Sequence, residues 1–316
     1  MTIEWRPGAD QAALIARAEM LTQVRHFFAQ RKVLEVETPL LCQGAPTDPH
    51  LESLLVNTNS GIRFLQTSPE FAMKRLLAAG SGDIYQICKS FRAGESSSRH
   101  NPEFTMLEWY RTGFTLAELI AEVIDLLQQV LGSQPIFEAS YQQLFEQYLG
   151  VNPHPISNDT LAELGQKVAG RELDNMTRAD WLDLLMSQVV EPKLPPGIAV
   201  ITDFPACQAA LSQVAKDNQA NQVAKRFEVY VNGIELANGY VELLDSDELA
   251  QRFAADRQIR RQQNLATNVG DDYLLAAMQQ GLPACVGVAV GLDRLLMAIT
   301  GSSDIAKLLS FPCGNA

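Results

Sequence analysis

The sequence predicts an α+β fold built on an antiparallel sheet. Strand patterns fall into two blocks, one ending near residue 110 and one beginning near residue 198, and helical patterns separate them. The second block carries an Asn-Gly pair between two apolar runs, which is a strong hairpin signal. The chain has 316 residues, 47% of them apolar, which is enough for one large domain or two small ones.

The first block follows from periodicity and from turn residues. Apolar residues at helical spacing, such as Leu14, Ala18 and Leu21, predict an amphipathic first helix. In order, the block is predicted to contain a helix at 11–31, a strand from 33 that ends at Pro39, a strand from 62, a helix from 70 with Gly80 at its C-cap, and antiparallel strands at 83–92 and 103–110.

The rest of the chain returns from helix to strand. A helix is predicted at about 116–131, and a helical insertion at about 138–195. Strands are predicted at 198–205, within 225–243 and at 284–292, with a helix at 247–265 between the last two.

Composition excludes several classes of protein. The N-terminus lacks a basic start followed by an apolar block, and no stretch approaches the roughly 20 apolar residues that span a bilayer. Five scattered cysteines without C-x-x-C spacing predict a reduced cytoplasmic protein with buried thiols. The net charge of -12 argues against RNA as a partner, because phosphate contacts dominate nucleic-acid affinity.

The segment 91–108, "FRAGESSSRHNPEFTMLE", crowds charge between two predicted strands. Arg92 ends the first strand, and Glu103, Phe104 and Glu108 lie along the second. An arginine fork suits phosphate, and a phenylalanine offers a flat face to a base. A surface hairpin whose Arg and Glu side chains pair in solvent explains the stretch equally well.

Three glutamates follow one another at intervals of seven residues: Glu228, Glu235 and Glu242. Strand alternation alone would not keep this spacing on one face. The turn at Asn232-Gly233 can bring the first two together, and clustered carboxylates need a cation such as Mg²⁺ or an amine. Solvated strand charges are the alternative.

Two further motifs are weak by themselves. "GVAVGLDRLLM" sets Arg294 at a strand-to-helix junction, a passage that is also common in protein cores. Glu70 begins a helix after Pro69, where a capping carboxylate would also be expected.

Together these segments resemble the catalytic core of class II aminoacyl-tRNA synthetases, of the lysyl branch. The first helix with "VLEVETPLL" resembles motif 1, "FR…RHNPEFTMLEWY" motif 2, and "GVAVGLDRLLM" motif 3, in that order over nearly the whole chain. The resemblance implies one domain over 1–316, an antiparallel sheet of six or seven strands flanked by helices, ATP with Mg²⁺, an aminoacyl-adenylate, and a homodimer formed through motif 1.

The same resemblance implies a role for each matching residue. Arg92 and Arg294 would be catalytic, with Arg92 on the α-phosphate and Arg294 and Phe104 on the two faces of adenine. The full implied set is: for ATP, Arg92, Glu95, His100, Asn101, Phe104, Glu235, Gly291 and Arg294; for the amino acid, Ser68, Glu70, Glu108, Tyr110, Asn238, Glu242 and Ala289; for Mg²⁺, Glu228 and Glu235.

Two departures from the lysyl synthetases narrow the expectation. Motif 1 begins within the first 40 residues, so no OB anticodon-binding domain is expected ahead of it, and tRNA is not the expected substrate. Ala289 stands where those synthetases carry glycine, so its methyl group would trim the amino-acid pocket. The sequence is therefore most similar to the elongation factor P lysyl ligase family, whose members join (R)-β-lysine to a lysine of elongation factor P.

Two other functions stay open at this point. The chain could be a silent regulatory paralogue, although it keeps Arg92, Phe104, Glu235 and Arg294. It could instead charge tRNA with lysine, with help from a partner protein. Motif 2 also reads "FRAGE", so Glu95 rather than residue 94 must meet the adenine edge, and its role is an open question.

Overall fold

The computed structural model describes residues 5–266 and 270–316. In these segments the chain forms nine α-helices and twelve strands. The helices are α1 Gln11–Gln30, α2 Glu70–Ala78, α3 Leu116–Leu131, α4 Tyr141–Leu149, α5 Asn158–Ala169, α6 Arg178–Leu185, α7 Ser246–Gln262, α8 Asp272–Gly281 and α9 Leu292–Thr300. The strands are β1 Leu34–Glu35, β2 Leu41–Cys42, β3 Leu55–Thr58, β4 Gly61–Leu65, β5 Ile84–Phe91, β6 Glu103–Thr112, β7 Ile136–Ser140, β8 Ile198–Pro205, β9 Val214–Lys216, β10 Gln222–Val231, β11 Ile234–Val241 and β12 Cys285–Gly291.

The main sheet corrects one part of the predicted fold. Among the described residues it has nine strands, in the order β1-β5-β6-β12-β11-β10-β8-β7, with β9 on β10. The seven strands β5, β6, β12, β11, β10, β8 and β9 pair antiparallel, as predicted. The outermost strands β1 and β7 pair parallel to β5 and β8, so the whole sheet is larger than expected and mixed.

One face of this sheet carries the largest apolar core. Alternate residues of β6 and β12, such as Leu107, Trp109 and Val288, point to one side because successive side chains of a strand face opposite ways. They pack with buried residues of α1, α3 and α9. The three helices therefore cover one face, and the residues in between face the other way.

The predicted insertion is helical, although its edges differ from the prediction. It contains α4, α5 and α6, then a π-helical turn at Met186–Val190 and a 3₁₀ turn at Glu191–Lys193. The strand β7 overlaps its predicted start. These helices form a second core with β8 and β10, in which Tyr141, Trp181 and Leu182 are buried.

Local signals explain which boundaries were predicted well. Helix α3 begins where expected because Thr115 and Glu118 form a capping box. Helix α2 ends with Ala79 as its C-cap, and Gly80 follows with a φ of +86°, so the predicted C-cap was wrong by one residue.

The cysteines agree only in part with the prediction. All five lie in the described segments and none is in a disulfide, but Cys207 and Cys313 are exposed and Cys285 alone is buried. The expectation of generally buried thiols was therefore wrong. Among the helices of the described segments, none is long and apolar enough to cross a bilayer.

Asp293 joins three elements that frame the sheet. It is 2% exposed, forms an ion pair with Arg17 of α1, and accepts a hydrogen bond from the backbone N–H of Thr105 in β6 at 2.6 Å. The carboxylate at the start of α9 therefore fixes the position of its neighbour Arg294 relative to motif 2.

We predict that Asp293→Ala lowers the free energy of unfolding by about 3 kcal/mol or more, because it leaves a largely buried guanidinium without its partner. Denaturant unfolding measures this. The matched control is Asp125→Ala, which removes a 66% exposed carboxylate paired with Arg31 at 3.3 Å and should cost less than about 1 kcal/mol. Equal losses in the two variants would contradict the assignment.

Candidate active site

A cavity of about 1340 Å³ lies over the face of the sheet that the three core helices leave uncovered. Its floor is formed by β6, β11 and β12, and its walls by α2, the loop at 43–51 and part of α6. The insertion thus contributes directly to the site through Thr177, Arg178 and Asp183.

The structure brings nearly all of the predicted site residues into this one cavity. Those that line it are Ser68, Glu70, Arg92, Glu95, His100, Asn101, Phe104, Glu108, Tyr110, Glu235, Asn238, Glu242, Ala289, Gly291 and Arg294. The exception is Glu228, which lines a smaller neighbouring cavity of about 430 Å³ that Glu235 also borders.

Strand alternation explains how distant segments converge. Phe104, Met106, Glu108 and Tyr110 lie two residues apart on β6 and all line the cavity. Across the ladder, Ala289 of β12 pairs with Glu108 on one side and with Asn238 of β11 on the other. The methyl group of Ala289 therefore stands in the middle of the floor.

A β-bulge explains how Glu235 and Glu242, seven residues apart, can face the same side of the sheet. Tyr230 of β10 pairs with Glu235 and Val229 pairs with Ala237, so Leu236 is an extra residue in β11. The extra residue reverses the alternation between Glu235 and Glu242. Both carboxylates consequently line the same cavity despite their odd separation.

Glu108 is the centre of an acidic end of the cavity. It is 3% exposed, and its two oxygens accept hydrogen bonds from the hydroxyls of Tyr110 at 2.6 Å and Ser68 at 2.7 Å. Burial, reinforced by the charge of Glu70, raises the pKa of Glu108 to about 8. The site therefore holds more negative charge than its interior stabilises, which suits a cationic ligand.

Glu242 lies beside this group and is 1% exposed. Burial raises its pKa to about 7, against the opposing charge of Lys74. A Cβ atom at Gly287 would lie 2.4 Å from Oε1 of Glu242 and 2.4 Å from the Tyr110 ring. Glycine at 287 is thus required for the two side chains to meet.

Lys74 contacts both Glu70 and Glu242 from outside the cavity. Its ammonium donates a hydrogen bond to Oε1 of Glu70 at 2.5 Å and forms an ion pair with Oε2 of Glu242 at 2.6 Å. Lys74 is 2% exposed, and the two carboxylates raise its pKa despite burial. Glu70 therefore forms an ion pair instead of the helix cap that sequence also allowed.

The opposite end of the cavity is basic. The guanidinium of Arg92 lies 5.1 Å from the centre of the Phe104 ring, and its Nη1 lies 3.6 Å from Glu95. The buried Nε of Arg92 has no hydrogen-bond partner among the described residues. A donor left free in this position suits an anion such as a phosphate.

Arg294 and His100 form the other side of this basic end. Arg294 donates to Nε2 of His100 at 2.5 Å and to the backbone oxygen of Glu235 at 2.9 Å. Since arginine cannot accept, the proton of His100 lies on Nδ1 and is donated to Ser97 at 2.8 Å. Burial and the charge of Arg294 lower the pKa of His100, so the ring is neutral.

At the basic end, Gly291 leaves space for a ligand and Asn101 holds the motif 2 loop. A Cβ atom at Gly291 would meet only the Arg294 side chain, at 3.9 Å, so space above the start of α9 is open to a ligand. Asn101 donates to the Glu103 carbonyl at 2.6 Å and accepts from the Cys313 N–H at 3.0 Å. Its amide anchors the motif 2 loop to the C-terminal segment.

The two carboxylates proposed for Mg²⁺ have different hydrogen-bond partners. Glu228 accepts from Arg226 at 2.5 Å and from Tyr230 at 2.6 Å, whereas Glu235 contacts Arg294 at 3.3 Å. The charge of Glu235 helps burial raise the pKa of Glu228 to about 7, so a shared cation would relieve their repulsion. Within the described segments no three His, Cys, Asp or Glu side chains form a metal cluster. Two carboxylates completed by phosphate oxygens fit the usual habit of Mg²⁺.

Sequence reasoning missed Lys74 and Arg226. Lys74 follows Glu70 by four residues on one helix, a visible signal that usually marks an exposed pair. Arg226 donates to Oδ1 of Asn238 at 3.1 Å, which leaves the NH₂ group of that amide directed away from the guanidinium. No residue pattern in the sequence indicated this contact.

The sequence is similar to that of proteins in one known family. The family described as tRNA synthetases class II (D, K and N) matches residues 2–315. A curated protein of Mannheimia succiniciproducens, named elongation factor P–(R)-β-lysine ligase, is 45% identical over 99% of this chain and 98% of its own. Proteins of the same name from Haemophilus influenzae strain PittGG and Pasteurella multocida are 44% and 43% identical, each over 99% of this chain and 98% of theirs.

We predict that Glu108→Gln stabilises the protein increasingly as pH rises from about 5 to 8. Between about pH 4.5 and 8 this carboxyl ionises in the unfolded chain but stays protonated in the folded one, so the wild type loses stability as pH rises, whereas glutamine cannot ionise. Melting curves against pH should show a gain that reaches on the order of 2–4 kcal/mol.

The control for this experiment is Glu118→Gln in the capping box of α3. Hydrogen bonds from Thr115 lower the pKa of Glu118. That variant should be less stable than the wild type at neutral pH, with the difference disappearing as pH falls through the acid range. A pH-independent effect of Glu108→Gln would refute the raised pKa.

Proposed function

The chain belongs to the class II tRNA synthetase family (D, K and N), and within it to the elongation factor P–(R)-β-lysine ligases, and from this we propose its reaction. It activates (R)-β-lysine with ATP and transfers the activated amino acid to the ε-amine of a lysine on elongation factor P. The observation that carries the proposal is the single cavity with a basic, aromatic end and a buried acidic end.

The basic end is proposed to bind ATP. Arg92 donates to the α-phosphate, Phe104 and Arg294 enclose the adenine, and His100 lies near the outer phosphates. Glu95 is the remaining candidate for the adenine edge, since Gly94 has a φ of +79° that disfavours a side chain at 94. Glu235 and Glu228 would hold Mg²⁺, which would neutralise phosphate charge.

The acidic end is proposed to bind the diamino acid. Glu70, Glu108 and Glu242 offer carboxylates to its two ammonium groups, and the hydroxyls of Tyr110 and Ser68 orient Glu108. A buried ammonium requires such partners, since isolated burial of a charge is very costly. Asn238 and Ala289 line the space between the acidic end and the basic end.

The chemistry then follows from position and charge. The substrate carboxylate attacks the α-phosphorus, a carboxyl–phosphate bond forms, and the bond to pyrophosphate breaks. Arg92 stabilises the added negative charge, and no side-chain base is needed because the nucleophile is already ionised. The acceptor amine next attacks the adenylate carbonyl, an amide bond forms, AMP leaves and the amine loses a proton.

A protein acceptor and a homodimer complete the proposal. The acidic net charge of -12 disfavours tRNA, and an acceptor that serves translation places the enzyme in the cytoplasm. Exposed apolar side chains lie along α1, β1 and the small β2-β4-β3 sheet, where a second copy would cover them. They are Leu14, Ile15, Leu34, Leu41, Leu55 and Ile62.

We predict that Arg92→Ala lowers amino-acid-dependent pyrophosphate exchange at least about 10²–10³-fold, because the charge at the α-phosphate is no longer stabilised. Exchange is measured with purified protein, ATP and (R)-β-lysine. Arg171→Ala, at an exposed position outside the cavity, is the control and should exchange normally. Normal exchange in Arg92→Ala would refute the assignment, and no exchange in the wild type would favour a silent paralogue.

We predict that Ala289→Gly raises the ratio of kcat/KM for α-lysine over that for (R)-β-lysine by about tenfold, the effect of one methyl group in a shaped pocket. The methyl group stands between Glu108 and Asn238, where it excludes an amine on the adjacent carbon. Ala284→Gly, at an exposed residue before β12, should leave the ratio unchanged. An unchanged ratio in Ala289→Gly would show that another residue sets this preference.

A further inference from the structure

Lys74 holds a position that the proposed reaction leaves unexplained. It is a lysine, it is 2% exposed, and it lies beside the carboxylates proposed to receive the ammonium groups of a lysine substrate. The three carboxylates of the acidic end line the cavity, and Lys74 does not. Its ammonium therefore supports the site from behind and leaves the substrate space open.

The contacts of Lys74 occupy one oxygen on each of two carboxylates. Nζ meets Oε1 of Glu70 and Oε2 of Glu242, so Oε2 of Glu70 and Oε1 of Glu242 remain for another donor. Oε1 of Glu242 lies against Gly287 and the Tyr110 ring, at the cavity floor. Lys74 thus fixes the direction in which each carboxylate presents its second oxygen.

The charges also form a definite sum. Glu70, Glu108 and Glu242 together carry three negative charges when ionised, and Lys74 returns one positive charge. Two net negative charges remain, which equal the two ammonium groups of a diamino acid. Without Lys74, a third negative charge would have to persist beside Glu108 and Glu242, which are 3% and 1% exposed, and beside Glu70, whose side chain is 17% exposed.

We infer that Lys74 is a positioning residue that limits the net charge of the fully ionised acidic end to minus two, and so matches the pocket to a substrate with two ammonium groups. The inference rests on the proposed function, because it assumes that a diamino acid binds there. Lys74 acts through Glu70 and Glu242 and does not touch the substrate.

Removing Lys74 has a defined consequence for protons. The titratable groups around it are Glu70 on α2, Glu108 and Tyr110 on β6, Tyr240 on β11, Glu242 after it, and Cys285 on β12. With the ammonium gone, one more carboxyl is protonated in the free protein. That proton must leave before the carboxylate can receive the substrate ammonium.

The test compares Lys74→Met with the wild type by calorimetric titration of (R)-β-lysine and of α-lysine, in two buffers with different ionisation enthalpies at pH 7.5. The variant should release about one more proton per substrate bound. The KM of Lys74→Met in pyrophosphate exchange should exceed that of the wild type about tenfold for each unit by which the substitution raises the pKa of the protonated carboxyl. This difference in KM should become smaller as the pH increases to 8.5. A packing defect would lower the active fraction at every pH without changing the proton count.

Two further variants make every outcome informative. Lys74→Arg keeps the positive charge and should release as many protons on substrate binding as the wild type. Lys89→Met removes a 42% exposed lysine that is paired with Glu103 at 3.3 Å, and it should match the wild type in proton release and in KM. Equal proton counts and KM values in Lys74→Met and wild type would overturn the inference. If Lys74→Met does not fold, an extra proton in Lys74→Arg, or pH-independent loss of its binding, would overturn it. Absence of binding of either isomer to the wild type would instead refute the proposed function.

Discussion

The alternation of side chains along the central strands is the constraint on which the structure depends. On β6, Leu107 and Trp109 enter the core while Glu108 and Tyr110 enter the cavity, so fold and site are two faces of one strand. A shift of register by one residue would bury the charges and expose the core. The core and the site therefore depend on the same register. The bulge at Leu236 restores the alternation between Glu235 and Glu242, whose spacing would otherwise break the pattern.

The cavity has opposite charge at its two ends, and each end follows from what surrounds it. Arg92 and Arg294 are partly exposed and keep donors for an anion. Glu108 and Glu242 are almost fully buried and are held by hydroxyls, by Lys74 and by the absence of a side chain at Gly287. A ligand with phosphates at one end and amines at the other relieves both charges, and this explains why one pocket suits the condensation of ATP with a diamino acid.

Much of the fold could be predicted from sequence because its signals are local. Strand β8 and helix α3 were placed correctly, since an apolar run and a capping box are contained within the segments themselves. A strand was predicted where β1 lies, but its parallel pairing with β5 was not, and strand β7 was not predicted at all. A short edge strand is defined by a distant partner. The family resemblance assigned Glu70, Glu108, Glu242 and Arg294 to one site, and in the structure all four line one cavity. Lys74 and the bulge at Leu236 could not be predicted, because a buried ion pair and a register change exist only after the sheet has formed. The individual roles of these residues stay predictions.

Transfer to the acceptor protein tests the central claim most directly. Purified protein would be incubated with elongation factor P, ATP and (R)-β-lysine, and the mass of the intact factor would be measured, with uncharged lysine tRNA in a parallel reaction. The account predicts that elongation factor P gains the mass of one lysyl residue on a single lysine, only when ATP and the amino acid are both present, and that the tRNA stays uncharged. Unmodified elongation factor P beside charged tRNA would contradict it.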